Sequence, residues 1–103
     1  MIEVKIDVKL TSERELLNTD PVEIFDELAE VFFDDESVIE QDMAGDYSLM
    51  KIDMDMWVDT TSVEEAFAIG VQAVKAAIDA ATRQVPWVSA EIDSVSAGQL
   101  EAA

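Results

Sequence analysis

The chain has 103 residues, half of them apolar, with six Lys+Arg against 24 Asp+Glu, no His and no Cys, for a formal net charge of −18. At this length one domain with its own core is expected, and the apolar half separates it from a disordered acidic tail. The charge excludes binding of nucleic acid through its phosphates and attachment to an anionic membrane surface, and the missing Cys excludes a disulfide framework and thiol chemistry.

Residues 2–10 alternate, with Ile2, Val4, Ile6, Val8 and Leu10 on one side and Glu3, Lys5, Asp7 and Lys9 on the other, as in a half-buried strand. The opening MIEVKIDVKL reads as this strand and not as a signal peptide, and no apolar run approaches the roughly 18 residues of a membrane span. Residues 11–19 read as a connection. Asp20, Pro21 and Glu23 then open a helix as N-cap, first helical residue and capping-box partner. Its apolar stripe is Val22, Phe25, Leu28, Ala29 and Phe32, widened by Ile24 and Val31, and the helix should stop near Phe33. Ser37–Gln41 reads as a short strand, Met43-Ala44-Gly45-Asp46 as a turn with Gly45 free to take positive φ, and 47–58 as a second strong strand. Thr60-Thr61-Ser62 caps a second helix, with Glu64 and Glu65 in its first turn. Phe67, Val71, Val74 and Ile78 supply the bulk of its stripe, while Gly70 and the neighbouring alanines are thin enough to let it lie close to a sheet. Pro86 blocks continuation, Trp87 pins the turn that follows, 87–96 reads as a last strand, and 97–103 reads as a flexible tail.

This order predicts one α+β domain over 1–96, a ferredoxin-like split βαβ: a four-stranded antiparallel sheet with both helices on one face and the first and third strands at its centre. A faint repeat agrees, since Lys5-Ile6-Asp7-Val8 echoes Lys51-Ile52-Asp53-Met54 and Val22-Glu23 echoes Val63-Glu64. The sheet's other face would stay open and display Lys5, Asp7, Lys9, Lys51, Asp53, Asp55, Trp57, Glu91 and Asp93. Cross-strand ion pairing on a solvated sheet explains that mixture; self-association anchored by Trp57 is the other reading.

The segment 34–46 carries Asp34, Asp35, Glu36, Glu40, Asp42 and Asp46 and no base. A solvated helix end, a patch that docks on a basic protein surface, and a weak divalent-ion site all fit it, although nothing matches an EF-hand loop. The helices add Glu23, Asp26, Glu27, Glu30, Glu64, Glu65 and Asp79. Spaced carboxylates on such a surface can imitate a phosphate backbone toward a target's Arg and Lys; adaptation to salt yields a similar composition. Without His, Cys or a phosphate-binding Gly loop, no enzymatic activity, cofactor or metal is expected.

The stretches IEVKIDVKL, DPVEIF, KIDMDMWVDTTSVEEAF and VPWVSAEI resemble the small acidic βαββαβ proteins found among accessory genes of phages that infect actinobacteria. The resemblance implies no catalytic residues. It implies a non-enzymatic protein acting in the host cytoplasm on a host or phage protein. The expected contacts are Asp34, Asp35, Glu36, Glu40, Asp42 and Asp46, with Trp57. The alternative is an assembly component that forms a homodimer or larger homo-oligomer through the open sheet face.

Overall fold

Six elements follow in the expected order in the computed structural model: β1 (Ile2–Ser12), α1 (Asp20–Phe32), β2 (Ile39–Asp46), β3 (Lys51–Val58), α2 (Val63–Gln84) and β4 (Val88–Gln99). The structure describes residues 1–12 and 20–99. The connection at 13–19, the cap side chains expected at Asp20 and Pro21, and residues 100–103 lie outside what is described. The strands form one antiparallel sheet in the order β2-β3-β1-β4, so β1 and β3 are central, as the split βαβ pattern requires. Among the described residues no helix is long and apolar enough to cross a membrane.

The alternation in β1 and β3 sends Ile2, Val4, Ile6, Val8, Leu10, Ile52, Met54, Met56 and Val58 into the core. These bulky side chains fill the sheet's inner face and decide how the helices lie on it. α1 buries Ile24, Leu28 and Phe32 completely, one turn apart each time, whereas Val22 is exposed and Phe25 only half-buried. The stripe is therefore rotated from the expected one toward Ile24.

α2 differs more. It buries Ala66, Gly70, Ala73, Val74, Ala77 and Ala81, and Phe67, expected in the stripe, is 45% exposed. The small residues face the sheet because the sheet already supplies the volume. An ideal Cβ on Gly70 would stand 2.8 Å from Val4 Cγ1, so backbone and strand side chain are in direct contact there.

The cap of α2 is the expected one. Ser62 Oγ accepts from Glu65 N at 3.2 Å, and Ser62 N donates to Thr60 Oγ1 at 3.1 Å. Ser62→Ala is expected to cost about 0.5–1 kcal/mol for the lost cap, read as a lower urea midpoint at unchanged slope.

Three boundaries depart from expectation. β2 runs through 39–46, and the turn lies at 47–50, so Met43–Asp46 is strand and not turn. Positive φ falls on Glu40 (52°) and Met50 (53°), and no Gly adopts it. Tyr47 packs edge-on against Phe25, 6.4 Å between ring centroids, and Asp46 organises the turn by accepting from Ser48 Oγ (2.7 Å) and Leu49 N (3.3 Å). β4 continues to Gln99, so 97–99, expected in the tail, pair with β1. The alternation in β4 breaks at a register shift opposite Asp7/Val8, where Asp93 is the one extra residue between Ile92 and Ser94.

Candidate functional site

The acidic residues singled out in the sequence fall in two places. Asp34, Asp35 and Glu36 form the turn after α1. Asp35 Oδ1 accepts from Ser37 N (2.9 Å) and Ser37 Oγ (2.5 Å), and Gln41 Nε2 donates to the carbonyls of Asp35 (2.8 Å) and Phe32 (3.3 Å). Asp35 thus helps to end the helix, while Asp34 and Glu36 are exposed and make no such bond. Glu27, Glu30, Val31, Asp34 and Asp35, with Ala80 and Gln84 of α2, line a groove of about 690 Å³ that holds four carboxylates and no base. Phe33 stands beside them, 50% exposed.

Asp42, Asp46 and Trp57 lie on the open sheet face instead. The strand register arranges that face in four rows, read from β2 across β3 and β1 to β4: Ile39, Trp57, Glu3, Gly98; then Asp42, Asp55, Lys5, Ser96; then Ala44, Asp53, Asp7, Ser94; then Asp46, Lys51, Lys9, Glu91. Glu40 sits in the register shift between the first two rows, outside the grid.

The expected cross-strand ion pairing is sparse here. Lys51 Nζ reaches Asp93 Oδ2 at 3.9 Å, and Lys5 Nζ reaches Glu3 Oε1, on its own strand, at 4.0 Å. The register opposes Asp7 to Asp53 and Lys9 to Lys51, and like charges directly opposite destabilise a sheet. The first of these couples two carboxyls whose affinities for a proton move apart. Asp7 lies below the usual carboxylate range, first because it hydrogen-bonds with Asp53 and then because Ser94 Oγ donates to it at 2.9 Å. Asp53 is raised by the same bond, and then by burial and the Asp7 charge.

A second carboxyl pair lies one row away. Burial pushes Asp55 up to about 6, a hydrogen bond with Glu3 and the Glu3 charge add to this, and Lys5 offsets it in part. Asp55 Oδ1 is fully buried and unpaired. Lys5, Asp7, Asp42, Asp53 and Asp55 line a shallow concavity of about 290 Å³ with Met43, Ala44 and Met54. Among the described residues no three acidic side chains converge as a metal-ligand set.

These two carboxyl pairs were not among the residues singled out by charge density. The signal that finds them is the repeat. Lys5-Ile6-Asp7 and Lys51-Ile52-Asp53 are equivalent segments of two antiparallel central strands, so equivalent residues meet where the pseudo-two-fold passes between the strands, and Asp7 meets Asp53.

No protein-family model matches the chain, and no curated protein matches its sequence. Solved structures do. Protein YjcS aligns with a TM-score of 0.55 at 15% identity, covering 98% of this chain and 100% of its own. A Deinococcus radiodurans protein with the provisional name antibiotic biosynthesis monooxygenase aligns at 0.57 and 14% identity, covering 100% of this chain and 95% of its own. A de novo designed protein with a ferredoxin fold, LFR1 1, aligns at 0.52 and 14%, covering 100% and 91%. The fold is ferredoxin-like. Identities this low speak to the fold alone.

Proposed function

We propose that this chain is a non-enzymatic protein-binding module of the phage accessory type, whose acidic helix side occupies a basic, nucleic-acid-binding site of a target protein in the host cytoplasm. The observation that supports it most is the groove between α1 and α2, where Glu27, Glu30, Asp34 and Asp35 stand together without a base. Arg and Lys side chains arranged for phosphates find carboxylate acceptors there, with charge-assisted bonds in place of those to phosphate. Phe33 adds an exposed aromatic contact beside the charge. Asp42, Asp46 and Trp57 belong to the opposite face and Asp35 is tied into its turn, so the target contacts narrow to Glu30, Asp34 and Glu36 with Phe33. The provisional monooxygenase name of one fold neighbour adds no residue to this reading, since the chain has neither His nor Cys to carry acid–base or thiol chemistry.

The test is affinity capture from a host lysate at about 0.15 M and about 0.5 M salt, where the screening length shortens. One captured protein, weakened by salt and competed by added DNA, supports the reading. The triple variant Glu30→Lys, Asp34→Lys, Glu36→Lys is expected to lose the target at least 100-fold while melting normally. Unchanged affinity in that variant refutes the site.

A further inference from the structure

We infer that the open sheet face is the docking site of a second copy of this chain, packed face to face about a two-fold axis that runs across the strands. This surface lies opposite the helix groove, so the inference is independent of target binding.

The argument is charge complementarity. Two molecules of charge −18 repel except where the local charge is mixed, and three of the six basic residues, Lys5, Lys9 and Lys51, lie on this one face. A two-fold axis along the rows, between the second and third, exchanges the first row with the fourth and the second with the third while keeping each strand over its own copy. Lys9 then meets Glu3 of the other copy, Lys5 meets Asp7, and Lys51 meets the face of Trp57, where a cation is attracted to the ring. Each contact occurs twice. An axis along the strands would instead stack Lys51 on Lys9 and Asp53 on Asp7. The first arrangement gives one member of each like-charge opposition, Lys9 and Asp7, an opposite charge from the other copy.

That arrangement also brings Asp55 of one copy to Asp53 of the other. Asp55 already faces Glu3 and Lys5 of β1 and Asp42 of β2, and Asp53 faces Asp7 of β1, with Lys51 and Asp46 nearby; the helices lie on the other side of the sheet. Acidic groups outnumber the basic ones around this contact, so the dimer forms with protons retained between the carboxyls, and association strengthens as pH falls. Four strands about 4.8 Å apart and about eight residues long offer roughly 500 Å² per copy, so the pair buries about 1,000 Å², the lower bound for a specific interface.

Sedimentation equilibrium at pH 5.5 and pH 8.0, at about 0.15 M salt and up to about 0.5 mM protein, tests this. The expected result is a dimer at pH 5.5 whose dissociation constant is at least tenfold weaker at pH 8.0. Lys9 is exposed and tolerates change, so Lys9→Glu is expected to fold normally and remain a monomer at both pH values. Glu3→Lys with Lys9→Glu exchanges the two partners and is expected to restore the dimer. A wild type that stays monomeric throughout, a dimer indifferent to Lys9→Glu, or a charge-exchanged variant that folds and stays monomeric would each overturn the inference.

Discussion

Gly70→Ala is expected to destabilise the fold by about 1–2 kcal/mol, although alanine is favoured over glycine by roughly 1 kcal/mol in an ordinary helix interior. The reason is the close approach of α2 to β1. The new Cβ would stand 2.8 Å from Val4 Cγ1 and 3.2 Å from Val4 Cβ. Rotating Val4 moves the first contact and leaves the second, because Cβ does not depend on the side-chain torsion. Val4 is also fully buried in a central strand, paired with Met56 on one side and Ala97 on the other, so its backbone has nowhere to retreat. The helix must lift, and overpacking of this kind costs ~1–3 kcal/mol. Urea melts of Gly70→Ala, Val4→Ala and the double variant check the mechanism. Val4→Ala alone loses about 2 kcal/mol or more to the cavity, but it removes the contacts to Cγ1 and Cγ2 and leaves only the 3.2 Å one to Cβ, so the double variant should recover at least ~1 kcal/mol relative to the sum. Additive losses, or a stabilised Gly70→Ala, would mean that the helix does not rest on Val4.

That helix also shows where sequence patterning stops being decisive. Its apolar residues cover two adjoining faces, one mostly small (Ala66, Gly70, Ala73, Val74, Ala77, Ala81) and one large (Phe67, Val71, Ile78), and periodicity alone takes in both. The choice belongs to the partner surface. β1 and β3 bring so much Ile, Val and Met to the inner face that only the small face of α2 fits against it. The central strands themselves were legible because their alternation is uninterrupted. The edge strands were legible in their existence but not in their bounds. β2 has few apolar residues, and its Met43-Ala44-Gly45-Asp46 mimics a turn, yet β3 offers it a hydrogen-bonding edge from Lys51 to Trp57. β4 loses its period at Asp93-Ser94, where the bulge inserts a residue. The carboxyl pairs were hidden for a related reason. Asp7 and Asp53 lie on β1 and β3, which are separated in the chain by α1 and β2, so no turn fixes their register and alternation gives the face of each residue but not its cross-strand partner. The internal repeat already contained the answer, because like residues must meet on a pseudo-two-fold between antiparallel strands.

Asp55→Asn is expected to stabilise the protein by about 1 kcal/mol at pH 8, and to change little at pH 4. The sign follows from proton linkage. In the unfolded chain an Asp titrates near 4, whereas in the fold burial and Glu3 push Asp55 up to about 6. The folded state holds this proton more tightly, so its stabilising contribution is complete below about 4 and is lost as pH rises through about 6. Asp53 is displaced in the same direction by Asp7. Asp7 is displaced in the opposite one, so its contribution is present above the unfolded value and is lost as pH falls through its lower folded one. Wild-type stability should therefore peak on the acidic side of neutrality, between those limits. For a carboxyl moved from about 4 to about 6 the full linkage is ~3 kcal/mol; solvent over the open face screens most of it, which leaves about 1 kcal/mol, or ~4–8 °C in melting temperature for a domain of this size. Asparagine keeps the shape and removes the charge, so the variant should lose most of the decline between pH 5 and pH 7. Melts at low micromolar concentration keep self-association out of the measurement. Salt separates this local effect from the general repulsion of a −18 chain. At about 0.5 M the long-range part is screened away, while a contact between adjacent carboxyls survives, so the advantage of Asp55→Asn at pH 8 should persist there. An advantage that vanishes in salt would assign it to net charge and not to the Asp55–Glu3 pair.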